Sequence, residues 1–198
     1  MSGGFNKMKV SRRLLLIFSL GLFLFHEPTF LLSSHNKVVN YYKNPKAIIN
    51  EVLKRGARTI TSELYSHPNV WNFVLQKIAT GAKSWLRVAV ALHPGSDAGA
   101  SEMLALSVGE ALENSPEDVF RITLKEFQLE SICSGPDIDN VRYNSYELAI
   151  KAIKRRQNRI LAISDPKLKN IGEKCIQTLE KSKDEVARFY GVDHERGK

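Results

Sequence analysis

Cysteine is scarce in this chain: two of 198 residues, Cys133 and Cys175. Two thiols with no histidine nearby fall short of a four-ligand zinc site, and no neighbouring base nominates either one as a nucleophile. Strand-like alternation of useful length is missing, which argues against a sheet-based fold. Nucleic-acid-binding motifs are missing too, and no nucleophile-elbow glycine pattern flanks a serine. No metal and no cofactor is expected. The sequence predicts an all-α chain whose chemistry must be sought outside the familiar motifs.

What is present begins at the N-terminus. Lys7, Lys9, Arg12 and Arg13 precede an apolar run from Leu14 to Phe25, broken only by Ser19 and Gly21. A positive flank before a short apolar core is how a bacterial chain is handed to an export machine. The run is shorter than the ~20 residues a spanning helix needs. Extended through His26, Glu27 and Pro28 to Leu32, it just reaches that length. Residues 1–34 are therefore read as a signal peptide, with an uncleaved membrane anchor and a fortuitous cytosolic segment as the alternatives. Either of the first two places the remainder outside the cytoplasm, in the periplasm or tethered to the membrane facing it.

Residues 35–198 form a natural single-domain length. They hold 25 basic and 20 acidic residues, a net of +5 against +8 for the whole chain. Such a surface suits an acidic protein or an anionic membrane, and nucleic acid is not expected as a partner. In an oxidising compartment the two cysteines are most simply one disulfide, Cys133–Cys175.

Helix punctuation recurs along the chain. Asn44-Pro45 is a cap with proline at the first helical position. An apolar stripe of Ile48, Ile49, Val52, Leu53, Ile60 and Leu64 then predicts one helix to about Tyr65. His67-Pro68 opens a second helix, which Gly81 ends. Ser84 to Leu92 reads as a buried helix, and Ser96 or Asp97 caps the next, which runs to about Asn114. Ser115-Pro116 starts a fifth. Residues 126–143 look irregular. Two longer helices follow, at about Ser145 to Ile163 with Ile150, Ile153, Ile160 and Leu161 inward, and at about Pro166 to Tyr190. The expected fold is an irregular bundle or helical-hairpin stack of six or seven helices.

Three stretches carry candidate chemistry. The first, His93-Pro94-Gly95-Ser96-Asp97-Ala98-Gly99-Ala100-Ser101-Glu102, gathers His93, Asp97, Ser101 and Glu102 on a tight turn and the helix after it. Capping and close helix packing account for much of this pattern, and a partner-recognition surface is the functional alternative. A hydrolase built on Ser96 or Ser101 with His93 is a further one, and it requires those groups to meet in a concave pocket. The second is a basic crowd of Lys151, Lys154, Arg155, Arg156 and Arg159. Lys151, Arg155 and Arg159 recur every four residues as one stripe, open to an acidic partner or to lipid headgroups. The third, Asp137-Ile138-Asp139-Asn140, lacks the glycine and glutamate of a calcium loop and reads as a turn.

The stretch from Trp85 to Glu102, with Asn114-Ser115-Pro116 and the Cys133/Cys175 pair, resembles a group of exported helical bacterial proteins without an assigned activity. The likeness covers roughly Val70 to Leu179. It implies export and a helical fold and supplies no functional residues. The expectation is thus an exported, non-enzymatic interaction module of the bacterial envelope, one that binds or neutralises a toxin or a cell-wall enzyme. A membrane-anchored structural factor is the remaining alternative.

Overall fold

The chain enters its first helix, α1 (Pro45–Arg55), through a cap in which the Asn44 side chain accepts the Lys46 N–H at 2.9 Å. The computed structural model describes residues 42–192, and the export or anchor segment at residues 1–34 lies outside the described residues. The stripe from Ile48 to Leu64 does not form one helix. Gly56 stands at φ +85°, a left-handed conformation that costs glycine little. The chain restarts there as α2 (Ala57–Tyr65), and the break re-aims the apolar face. Ile48, Ile60 and Leu64 are buried, whereas Leu53, expected inward, is 79 % exposed.

The next elements follow their predicted punctuation. Pro68 opens α3 (Pro68–Ala79), and Gly81 at φ +74° turns the chain into α4 (Lys83–Leu92). After a 3₁₀ turn at His93–Gly95, the Asp97 carboxylate, rather than the Ser96 hydroxyl, caps α5 (Ala98–Ala111). It accepts the Ala100 N–H at 2.9 Å. Pro116 starts α6 (Pro116–Thr123). The irregular stretch contains one helical turn, α7 (Leu129–Ile132), and a 3₁₀ turn at Val141–Tyr143. Ser145 and Asp165 cap the closing pair, α8 (Tyr146–Leu161) and α9 (Pro166–Phe189).

The described residues thus hold nine α-helices and no strand. The two helices beyond the predicted seven come from the Gly56 break and from α7. Their packing is an irregular bundle. α3 lies on α5, α4 is flanked by α1 and α6, and α8 pairs with α9. One apolar cluster runs through it, from Ile48 through Val74, Leu86, Leu104 and Ile153 to Leu179. Leu161, expected inward, is 71 % exposed, because it lies one position beyond the face that Ile153 and Ile160 bury.

The disulfide is present. Cys133, at the end of α7, and Cys175, in α9, have Cα atoms 5.2 Å apart and lie fully buried. The bond fastens the stretch after α6 to the last helix. No helix among the described residues is long and apolar enough to cross a membrane.

Gly95 shows how tightly the α4–α5 turn sits on α2. A Cβ there would lie 2.2 Å from both the Ala57 carbonyl carbon and the Arg58 nitrogen. Backbone cannot swing aside as a flexible side chain can, so Gly95→Ala should destabilise the domain by about 2–3 kcal/mol. Urea unfolding measures this directly, and an unchanged midpoint would contradict the close approach.

Candidate functional site

The 3₁₀ turn at Pro94 reverses the chain so that the first turn of α5 folds back beside the end of α4. Ser101 Oγ and His93 Nε2 consequently meet at 3.1 Å. The Phe127 ring lies against the imidazole, with centroids 4.2 Å apart and the planes tilted by 43°. Both members of the pair are half-buried. They open onto a cleft of about 560 Å³ whose polar lining includes Glu102, Glu126, Gln128, Ser131 and Ser134. One wall is the α4–α5 turn and α5 itself. The other is the stretch from Glu126 to Ser134, which the disulfide ties to α9.

Burial holds the His93 imidazole below its usual 6.5, and the Glu126 carboxylate pulls it part of the way back up. Glu126 acts through charge at a distance, with no hydrogen bond to the ring. A histidine depressed in the folded state takes up its proton more readily once unfolded. His93 therefore contributes stability that is present above 6.5 and is lost as pH falls through the window just below it. Thermal midpoints followed from pH 7 to pH 5 should fall more steeply for the natural protein than for His93→Gln. Parallel curves would contradict the assignment.

The other residues of this stretch go elsewhere. Ser96 Oγ donates to the His93 carbonyl at 2.7 Å and faces a separate hollow of about 280 Å³ beside Arg58, Ser62 and Tyr65. Asp97 lines that second hollow and is committed as the α5 cap. A Ser96-based site and an Asp97-completed triad are therefore not assembled, whereas His93, Ser101 and Glu102 share one cleft. The far wall, from Glu126 to Ser134, gave no signal in the sequence, because its pairing with α5 spans more than twenty residues.

The basic stripe is mostly engaged within the domain. Glu110 and Glu113 lie at the C-terminal end of α5, where the helix dipole disfavours carboxylates and welcomes cations. Arg142 Nη2 answers Glu110 at 2.6 Å, and Arg155 Nε answers Glu113 at 2.7 Å. Arg159 donates to the Asn114 carbonyl at 3.1 Å. These contacts clamp α8 and the 3₁₀ turn before it onto the end of α5, while Lys151, Lys154, Arg155 and Arg159 all stay exposed to solvent. Arg156 is not part of any surface. It is 1 % exposed and donates to the Ser134 carbonyl at 3.0 Å, with Nε 3.7 Å from Glu113. Burial draws its guanidinium below the ordinary arginine value, opposed by the neighbouring Tyr143, Glu113 and Glu110.

At the Asp137–Asn140 stretch, Asp137 Oδ1 accepts the Asp139 N–H and Asn140 Oδ1 accepts the Arg142 N–H. These are side-chain turns, in line with the failed calcium pattern. Among the described residues no group of three or more His, Cys, Asp or Glu side chains is placed to hold a metal ion. His67 precedes α3 without a side-chain cap hydrogen bond, its Nδ1 lying 2.8 Å from the Glu63 carbonyl of α2, and Trp71 packs in the core with Nε1 3.4 Å from Met103 Sδ. No family model, no curated protein and no solved structure matches this chain, so the resemblance to exported helical proteins rests on the residues quoted for it.

Proposed function

We propose that this chain is an exported binding module of a bacterial envelope that engages a protein partner through the His93–Ser101 cleft. The observation that carries the reading is the cleft itself. It is concave, and it lies between the most distinctive stretch of the sequence and a wall tied down by the disulfide. Its lining includes two carboxylates, Glu102 and Glu126, and no lysine or arginine, although the chain as a whole carries +8. A negative recess in a positive protein favours a basic segment of the partner and disfavours acidic ones.

Export is supported by the positive flank and apolar run from Lys7 to Phe25, and a buried disulfide suits an oxidising compartment. An exported toxin or cell-wall enzyme, bound and neutralised, is the partner class that such a domain suits. This last step is by analogy of size and compartment. A lipid-contacting role draws less support, because Arg155 and Arg159 are spent within the domain.

Photo-crosslinking in the envelope tests the reading. A benzophenone side chain at Glu126 or Gln128 should give a discrete higher-mass adduct. The same group at Leu53, exposed on α1, should give none. Adducts at Leu53 alone, or none at the cleft positions, would contradict the assignment.

A further inference from the structure

The Ser101–His93 pair has more to it than a recognition surface requires. We propose that Ser101 is a nucleophile toward carboxylic esters, with His93 as its general base, and that the cleft is therefore a slow acyl-transfer site. Four features converge on the pair. The hydroxyl and Nε2 are at hydrogen-bond distance, which is the geometry that proton removal needs. Both residues line the cleft, which gives an ester carbonyl a route to Ser101. The Glu126 carboxylate favours the imidazolium that forms during attack. Burial keeps the resting imidazole neutral, as a base must be at pH 7.

Oγ attacks the acyl carbon while its proton passes to His93 Nε2. The bond from that carbon to the leaving oxygen breaks, and His93 returns the proton to the departing alkoxide. Water then enters. His93 takes one of its protons, the resulting hydroxide adds to the acyl carbon, and Oγ leaves with the proton that His93 hands back. No metal, cofactor or redox partner is required.

The site also has a defined weakness. The Ser101 N–H is bonded to the Asp97 carbonyl at 2.8 Å within α5. It is not available to the oxyanion, unlike the backbone donors that carry much of the rate in efficient hydrolases. Acylation is therefore expected to be slow, and Glu102 and Glu126 select neutral or cationic esters over anionic ones.

The test uses the oxidised full-length protein and a fluorophosphonate probe, read by intact mass and peptide mapping. One adduct is expected, on Ser101. Ser101→Ala should abolish it, and Ser96→Ala should label at the unaltered rate. His93→Gln retains a side-chain amide beside Ser101 but removes the base, and it should slow labelling by about 100-fold. Far-UV circular dichroism of each variant separates a lost fold from a lost nucleophile. Absence of an adduct on the folded natural protein, an adduct mapped elsewhere, or equal rates in His93→Gln would each overturn the proposal. Because the probe needs no partner protein, the outcome is independent of the crosslinking result.

Discussion

Replacing Cys133 and Cys175 together with alanine should lower the stability of the domain by about 4 kcal/mol. That figure is the chain-entropy cost of releasing a loop of this length, and the two cysteines are 42 residues apart. The bond closes a loop that starts at the end of the cleft's far wall and contains the 3₁₀ turn at Val141–Tyr143, all of α8 and the first part of α9. Without it, α7 is held chiefly by its packing on α5 and α9. For a domain of this size the loss should appear as a fall in thermal midpoint on the order of 10 °C. Calorimetry of the oxidised and the double-alanine proteins measures it. The cleft should suffer before the core does, since Ser131 and Ser134 flank Cys133. Crosslinking from Gln128 should therefore weaken in the double variant even at temperatures where its helix content is intact.

Arg156→Ala should cost about 3 kcal/mol, from the cavity left by the side chain and from a Ser134 carbonyl left without its donor. The arginine occupies a fully buried site between α5, α8 and the Cys133–Ser134 turn, so its removal cannot be compensated by water alone. Glu113 is not stranded by the change, because Arg155 still reaches it at 2.7 Å. Arg156→Met separates the two contributions. It refills the volume while leaving the carbonyl unpaired, and should recover most of the packing part. Removing one member of a buried ion pair is costly when it strands the other charge, and here Arg155 keeps Glu113 paired. Urea unfolding of both variants tests this. Equal losses for Ala and Met would mean that the hydrogen bond to Ser134 dominates. Negligible loss for both would contradict the buried position.

Much of the fold was legible because its signals are local. The caps at Asn44, Asp97, Ser145 and Asp165 each satisfy a backbone N–H two or three residues ahead, so short windows of sequence contain the whole interaction. The break at Gly56 was less legible. A glycine inside an apolar stripe is compatible with a continuous helix, and packing against the Gly95 turn helps to place the break. Arg156 did carry a signal. It lies three residues after Ile153 and four before Ile160, on the buried face of α8, but its charge favoured the solvent reading.

The cleft was half legible. His93 and Ser101 are eight residues apart, close enough for one turn to join them. Glu126, Phe127 and Ser134 reach the same place only through tertiary packing, which no spacing rule reports. The basic stripe was visible as a pattern, and Lys151, Arg155 and Arg159 are exposed, but the contacts that the two arginines make within the domain were not visible. Its partners, Glu113 and the Asn114 carbonyl, lie more than forty residues away in the chain.

Intact mass of the protein recovered from its native envelope fraction tests most directly whether the domain is exported and oxidised. It should be run with alkylation before and after reduction. The expected result is a chain shortened by about the length of the 1–34 segment, whose two thiols alkylate only once reduced. Free thiols that alkylate without reduction, on a full-length chain in the cytosolic fraction, would contradict it. That outcome would remove both the compartment and the anchored wall on which the proposed cleft depends.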